Sequence, residues 1–249
     1  MKLGPYELGP NDTPENGIYT GDARELAREI PDESVDLALH DPPFGIRYKY
    51  KNGYKDDPAG YPDLIRWTVA ESTRIAKPGG LCFVYVTQLR LHDIWPLFPE
   101  GSRIFAACKN FVQMRPTPVQ FAYDPVIFWQ TPGQYLKDEK GRDWHVGNTA
   151  NTNNRGANEA GFHACPRPLD TIVYIIENFC PEGGVVADFF MGSGTTAVAA
   201  KATGRRWIGF ELMPQTAGQA RQRVRDMYPL FTPEPQQLTL DSQLRRDLE

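Results

Sequence analysis

Short apolar runs alternate with helix-like stretches along most of this 249-residue chain. Five stretches have the spacing of amphipathic helices, at 23–30, 63–76, 169–179, 195–203 and 214–227. Six runs have the length and apolar character of strands, and most end in a polar or glycine-rich turn: 18–20, 35–40, 81–87, 126–129, 185–188 and 207–210. This alternation predicts an α/β protein, with helices packed against a sheet.

Length and pattern predict one domain over residues 1–249. Both ends are expected to be peripheral, because the first dozen residues are polar with Gly and Pro and residues 232–249 form a polar tail. The segment 131–162 breaks the alternation, since it is rich in Gly, Asn and charge. Loops of this length within a compact domain are usually functional or disordered.

Composition restricts the partners of the chain. A net charge of -4 and a pI near 5.7 argue against a protein that coats nucleic acid non-specifically. Any DNA contact needs a local patch, and cations alternate with tyrosines from Arg47 to Lys51 and again at Tyr54 and Lys55. Such a run is also typical of a solvated loop, but its position beside the turn described below favours phosphate contacts by Arg47, Lys49, Lys51 and Lys55.

Other classes of protein lack support. No stretch approaches the roughly 20 apolar residues of a membrane helix, and the start lacks the apolar core of a signal peptide, so we expect a cytoplasmic protein with no membrane partner. The four cysteines contain no Cys-x-x-Cys pair and the four histidines have no ligand spacing. No metal is expected.

A glycine turn between a strand and an alanine-rich helix indicates a nucleotide-binding site. Gly192 and Gly194 allow close approach of a ligand, and the helix that follows offers free N–H groups. Glu211 ends the next strand, where a carboxylate can accept both hydroxyls of a ribose. The same pattern fits the dinucleotide fingerprint of an NAD-dependent oxidoreductase. Asp188 before the glycines, and the short chain after Glu211, favour a methyl donor.

A second motif follows the strand 35–40. Asp41-Pro42-Pro43-Phe44 continues into Gly45, and the two prolines end the strand in a stiff, extended turn. The Asp41 carboxylate and the Pro42 carbonyl can both accept protons of one amino group, with Phe44 stacked beside it. That arrangement suits an extruded base. By itself the tetrapeptide is equally typical of a strand ending in a loop.

An exocyclic amino group of adenine or cytosine is a poor nucleophile, because its lone pair is delocalised into the ring. Two acceptors on its protons return electron density to nitrogen, and positioning against an activated methyl group supplies much of the remaining catalysis. No covalent enzyme intermediate is required. Asp41, Pro42, Pro43 and Phe44 are therefore predicted to form the catalytic centre.

Taken together, the motifs resemble the amino-methyltransferases of DNA, specific for N6 of adenine or N4 of cytosine. The resemblance is to the permuted beta group, in which the catalytic motif precedes the cofactor motif, and it spans about 18–225. It rests on Gly21-Asp22, Asp41-Pro42-Pro43-Phe44-Gly45, Lys77-Pro78-Gly79-Gly80, His163-x-x-x-Arg167-Pro168-Leu169, the stretch 188–196 and Gly209-Phe210-Glu211.

The resemblance implies a class I, Rossmann-like S-adenosylmethionine-dependent methyltransferase fold, with seven strands in a mixed, mostly parallel sheet and a circularly permuted motif order. S-adenosylmethionine is the implied cofactor, with Asp22 facing its adenine and Arg167 and Pro168 beside its methionine end. The segment 131–162 takes the place of the target-recognition region. The full predicted cofactor set is Asp22, Asp41, Arg167, Pro168, Asp188, Phe189, Gly192, Ser193, Gly194, Thr195, Thr196 and Glu211.

The chain departs from the family pattern at several positions. Phe44 replaces the commoner Tyr, Phe189 stands where Pro is frequent, and the stretch before Pro168 carries Arg167 in place of Lys. Asp124-Pro125 replaces a glutamate that the family often has before the later strand, and no role is transferred there.

The implied activity is methylation of N6 of adenine in double-stranded DNA, because an Asp start of the motif leans towards adenine and a Ser start towards cytosine. N4 of cytosine, an RNA target and a silent binding module stay open as alternatives. The resemblance also leaves open whether the chain forms a homodimer or accompanies a cognate restriction endonuclease.

Overall fold

The structure is a computed structural model that describes residues 1–9, 16–48, 54–113, 118–138, 140–148 and 167–227. Its strands are β1 (Lys2–Leu3), β2 (Tyr6–Glu7), β3 (Ile18–Thr20), β4 (Val35–His40), β5 (Ala76–Tyr85), β6 (Arg103–Gln113), β7 (Phe121–Gln130), β8 (Trp144–Gly147), β9 (Val185–Asp188) and β10 (Arg206–Glu211). Its α-helices are α1 (Ala23–Leu26), α2 (Tyr61–Ile75), α3 (Leu91–Ile94), α4 (Leu169–Phe179), α5 (Thr195–Ala202) and α6 (Pro214–Asp226).

Within the described residues, the main sheet has eight strands in the order β3-β10-β9-β4-β5-β7-β6-β8. The first five are parallel, β7 runs antiparallel to both β5 and β6, and β8 lies parallel to β6 at the far edge. The predicted α/β class and mixed, mostly parallel sheet are confirmed. The expectation of seven strands is wrong.

Two strands of this sheet were not predicted. β6 carries only a short apolar stretch inside a longer run that includes Arg103 and Lys109, so its period is weak. β8 has four residues, lies inside the segment 131–162 that was expected to be a loop, and leaves Trp144 and Val146 about half exposed. Its register is set by pairing with β6, which the sequence pattern does not show.

The amino-terminal end is not peripheral, contrary to expectation. β1 and β2 form a hairpin, and Leu3, Tyr6 and Leu8 are buried against the core. The Tyr6 hydroxyl donates a hydrogen bond of 2.7 Å to the carbonyl oxygen of Leu26 in α1. A few apolar side chains among polar ones are enough to dock this short hairpin.

Both faces of the sheet are covered. β4 is buried along its whole length, as expected for the centre of a parallel sheet. Its Asp36 is satisfied by the Lys77 ammonium and the Val185 amide, each at 2.8 Å. Helices α4 and α5 pack on one face, and α1 and α2 contribute to clusters on the other. In the described residues, no helix has the length and apolar character needed to cross a membrane.

Four neighbouring parallel strands, β3, β10, β9 and β4, end at the same edge of the sheet. Their last residues are Thr20, Glu211, Asp188 and His40. Because ligands of open α/β sheets bind beyond the carboxyl ends of the strands, this edge is where a site is expected.

Candidate functional site

A cavity of about 1450 Å³ opens at this edge of the sheet. Its walls include Asp22, Asp41, Asp188 and Glu211, so residues of both sequence motifs face one space. A pocket for a single small ligand typically encloses roughly 300–1,000 Å³. The cavity is therefore large enough for a cofactor and a second group beside it.

The turn after β4 is stabilised by the buried carboxylate of Asp56. Asp56 accepts hydrogen bonds from the backbone amides of Gly45, Ile46 and Tyr48 at 2.7, 2.8 and 3.0 Å. Gly45 itself has φ +63°, a conformation that favours glycine. These bonds fix the chain that leaves the Asp41 turn, with Pro42 buried and Phe44 partly exposed to the cavity.

Arg167 also lines the cavity and forms ion pairs with Asp41 and Asp124. Its Nη2 and Nε donate to Oδ1 and Oδ2 of Asp41 at 2.7 and 2.8 Å, and its Nη1 donates to Oδ2 of Asp124 at 2.7 Å. The guanidinium carbon also lies 5.3 Å from the ring centroid of Phe44 and 4.7 Å from that of Tyr85. Arg167 thus contacts the predicted catalytic turn directly.

The charges around Arg167 balance. The Lys109 ammonium donates to Oδ1 of Asp124 at 2.8 Å, so two cations alternate with two carboxylates from Lys109 through to Asp41. Burial alone would lower the pKa of Arg167, but the two carboxylates outweigh it and the pKa is raised. Arg167 is therefore a permanent cation in a bidentate pair.

The acid at the end of β10 supports the glycine turn. Glu211 accepts the Gly192 amide on Oε2 at 3.0 Å and the Met213 amide on Oε1 at 2.9 Å. Burial raises the pKa of Glu211, and the two amides act in the opposite direction. Each oxygen keeps a second lone pair for a donor in the cavity.

Asp188 ends β9 beside a neutral histidine. Its Oδ1 accepts the Phe190 amide at 2.9 Å. The Phe189 amide donates to Nδ1 of His40 at 3.0 Å, and the two rings stack at 4.2 Å. Burial lowers the pKa of His40, so the imidazole is neutral with its proton on Nε2. This stack fixes the strand end between Asp188 and Asp41.

The remaining predicted cofactor residues fall into two groups. Asp22 caps α1 by accepting the Arg24 amide at 2.8 Å, and it lines the cavity together with Ser193, Thr195 and Thr196. Gly194 and Pro168 face other parts of the fold. An added Cβ on Gly194 would lie 3.0 Å from Cβ of Ala220, and Pro168 packs against Gly147 of β8.

The predicted phosphate contacts are only partly described. Arg47 and Lys55 are exposed, and Arg47 has φ +60° directly beyond the Asp41 turn. Lys49 and Lys51 lie outside the described residues, as do 163–166 and the tail 232–249. Tyr48 and Tyr54 line the cavity, so each described cation is next in the chain to a residue of the cavity wall.

Two comparisons decide the family. A family model described as DNA methylase matches residues 133–222. YubD of Escherichia coli (strain K12), which has methylase in its name, is 44% identical over 208 residues, covering 82% of this chain and 88% of YubD. The chain belongs to the DNA methylase family.

More distant relatives agree with this membership. The type II methyltransferase M.BamHI of Bacillus amyloliquefaciens is 28% identical over 235 residues, covering 78% of this chain and 54% of M.BamHI, so the chain spans about half of that relative. The structure of TTHA0409 from Thermus thermophilus has a TM-score of 0.63 at 23% identity, covering 85% of this chain and 95% of that one. TTHA0409 has also been solved in complex with S-adenosyl-L-methionine. Its likeness shows a shared fold.

Several site residues of this DNA methylase were not found from the sequence. Asp124 was noted at a family position but given no role, whereas it pairs with Arg167. Tyr85 ends an apolar strand, and its place at a strand's carboxyl end was its only signal. Asp56 and Lys109 carry no motif at all. Each acts through contacts with residues far away in the chain, which spacing along the sequence does not reveal.

Proposed function

We propose that this chain transfers a methyl group from S-adenosylmethionine to the N6 amino group of adenine in DNA, by direct transfer to a flipped base. One observation carries the proposal. The Asp41 turn and the acids Asp188 and Glu211 lie at carboxyl ends of neighbouring parallel strands and line one cavity. An acceptor for an amino group and a cofactor-type turn thus meet in a single space.

The residues of the cofactor half fit S-adenosylmethionine. S-adenosylmethionine carries two positively charged groups, a sulfonium and an ammonium, and two ribose hydroxyls. The cavity offers these groups the carboxylates of Asp22, Asp188 and Glu211. Glu211 is partly buried with spare lone pairs, as binding of hydroxyl donors requires. The loop from Gly192 to the start of α5 forms the adjoining wall. When bound, S-adenosylmethionine supplies an electrophilic methyl group.

In the same cavity, the Asp41 turn holds the target base, which receives the methyl group. A carboxylate oxygen of Asp41 and the Pro42 carbonyl accept hydrogen bonds from the two N–H groups of the amino group, and Phe44 stacks on the ring. As the nitrogen attacks the methyl group, the fixed turn aligns it and the acceptors pull electron density onto it. Asp41 takes the proton that the nitrogen loses, and S-adenosylhomocysteine is released. Asp56 is positioned to set the geometry of this turn.

Two features support DNA as the substrate. The family is that of DNA methylases, and the exposed cations Arg47 and Lys55 are next in the chain to residues that line the cavity. We further propose that Lys49 and Lys51 extend this patch, and that the segment 131–162 reads the target sequence. A base must leave the duplex to reach Asp41, which is how base-modifying enzymes act.

The choice of base rests on the first residue of the catalytic turn. In the family that the motifs resemble, an Asp start leans towards adenine and a Ser start towards cytosine, so Asp41 favours adenine. The order of the motifs, with Asp41 before Gly192, supports placement in the permuted group.

The test is transfer of a tritiated methyl group from S-adenosylmethionine to DNA of mixed sequence, followed by digestion and chromatography of the nucleosides. We expect label in N6-methyladenine. Label in N4-methylcytosine would keep the mechanism and change the target. Absence of label in DNA, with label in RNA or nowhere, would reject the proposal.

Substitution of the acceptor tests the assigned centre. Asp41→Ala should abolish transfer, because the amino protons lose their main acceptor, while S-adenosylmethionine affinity stays within a few fold by calorimetry. Asp63→Asn is the matched control, since Asp63 is an exposed acid on α2 whose partner is Arg66. Near-normal turnover of Asp41→Ala would show that the centre lies elsewhere.

A further inference from the structure

The guanidinium of Arg167 fills a space that is shaped for a flat, hydrogen-bonding group. It lies over the rings of Phe44 and Tyr85 and covers both carboxylate oxygens of Asp41. We call this space the Arg167 slot. The guanidinium is planar and presents N–H donors in its plane, as does the amino-bearing edge of adenine or cytosine.

The slot contains the same two contacts that the proposed mechanism assigns to the substrate, namely Asp41 as acceptor and Phe44 as stacking ring. A base and the guanidinium compete for both. We propose that the Arg167 slot is the subsite of the target base, with Tyr85 as a second aromatic wall, and that Arg167 fills it until a base displaces it. This inference rests on the proposed function.

Tyr85 supplies an independent reason to place a ligand here. Its side chain is buried and lines the cavity, yet among the described residues its hydroxyl has no hydrogen-bond partner. A buried hydroxyl without a partner is costly, so a partner from the ligand is expected. Burial raises the pKa of Tyr85, and the hydroxyl therefore stays a donor at neutral pH, able to reach a ring nitrogen of a base.

The displaced Arg167 guanidinium keeps a charged partner in Asp124. Nη1 of Arg167 is bonded to Asp124, and that contact does not involve Asp41. Lys109 already balances one charge on Asp124. Arg167 can therefore release Asp41 and keep one charged partner. The release uncovers the Asp41 carboxylate only when a base is present to bind it.

The side-chain resonance of Arg167 reports directly on occupancy of the slot. In protein labelled with nitrogen-15, the Nε–H signal is assigned as the one that disappears in Arg167→Lys. We expect it to exchange slowly with water, because Nε–H is bonded to Asp41. Addition of a duplex that the protein methylates, together with S-adenosylhomocysteine, should shift the signal and speed its exchange by about tenfold or more. An unchanged signal with saturating duplex would overturn the inference.

A second variant tests the aromatic wall without disturbing the charges. Tyr85→Phe should slow methyl transfer in a single turnover by up to about tenfold, because one hydrogen bond to the base is lost. Its affinity for S-adenosylmethionine should stay unchanged, and its Tm should rise slightly, because the variant lacks a buried hydroxyl that has no partner. Tyr19→Phe is the control, since the Tyr19 hydroxyl bonds to the backbone of Glu7 outside the cavity. An unaltered transfer rate in Tyr85→Phe would remove Tyr85 from the subsite.

The proposed function and the displacement of Arg167 are rejected by different results. If no DNA is methylated, the proposed function falls and this inference falls with it. If DNA is methylated while the Arg167 signal does not respond to the same duplex, the function stands and only the displacement of Arg167 is rejected.

Discussion

The sharpest stability prediction concerns the glycine that begins α5. Gly194 has φ +83° as the amino-terminal cap of this helix, and a Cβ placed on it would lie 3.0 Å from Cβ and 3.3 Å from Cα of Ala220. Gly204, just beyond the other end of the same helix, has φ +69° and nothing within 4 Å of an added Cβ. The two glycines therefore share a backbone conformation and differ in their contacts.

The pair separates backbone strain from steric contact. An alanine in the left-handed region costs about 1–2 kcal/mol, and this cost is common to Gly194→Ala and Gly204→Ala. Both variants also gain the same small benefit from a less flexible unfolded chain. Only Gly194→Ala presses on α6, and such overpacking typically costs about 1–3 kcal/mol. We expect the free energy of unfolding of Gly194→Ala to be lower than that of Gly204→Ala by about 1–3 kcal/mol, the cost of the contact with α6.

Urea denaturation of the two variants and the wild type measures the difference directly. Isothermal titration with S-adenosylmethionine should show weaker binding only for Gly194→Ala, because Ser193 and Thr195 on either side of Gly194 line the cavity. Equal destabilisation of the two variants would refute the argument that Gly194 is required by its approach to α6. Equal affinity of the two variants for S-adenosylmethionine would show that the conformation of the Gly194 turn does not influence cofactor binding.

Three further predictions concern the Asp56 carboxylate, an open glycine of α6 and the cations beyond the Asp41 turn. Asp56→Asn should lower the free energy of unfolding by about 1–3 kcal/mol and slow methyl transfer, since its carboxylate accepts three backbone amides at the Asp41 turn, whereas Asp63→Asn, at an exposed acid outside the cavity wall, should do neither; denaturation and transfer assays check both. Gly218→Ala should raise stability in urea by about 1 kcal/mol, because this helical position is open, and a loss would contradict that. Alanines at Arg47, Lys49 and Lys51 should reduce the salt dependence of DNA affinity, and an unchanged slope would exclude these phosphate contacts.

The centre of the fold was predictable because local pattern and burial agree there. The strands 18–20, 35–40 and 185–188 and the helix 169–179 have the predicted bounds. Each is a compact apolar run bounded by turn residues, so its burial is evident without knowledge of its neighbours. β6, β8 and the hairpin of β1 and β2 were missed because pairing, rather than hydrophobic period, holds them in the sheet.

The site was predictable to the extent that strand ends define it. Asp188 and Glu211 end neighbouring strands and Asp41 directly follows another, so a parallel sheet brings all three to one edge whatever their order in the chain. The pairing of Arg167 with Asp41 was not predictable, since 126 positions separate the two residues and no regular period relates them.

This difference has a physical cause. Strand ends are positioned by backbone hydrogen bonds whose register the hydrophobic pattern restricts, whereas a charged side chain selects whichever opposite charge the folded cavity brings within reach. Arg167 meets two such carboxylates, Asp41 and Asp124. A motif therefore gives the place of Arg167 in the site, but its partner depends on what else occupies the cavity. For the same reason, the pairing of Arg167 should respond to substrate while the strand ends stay fixed.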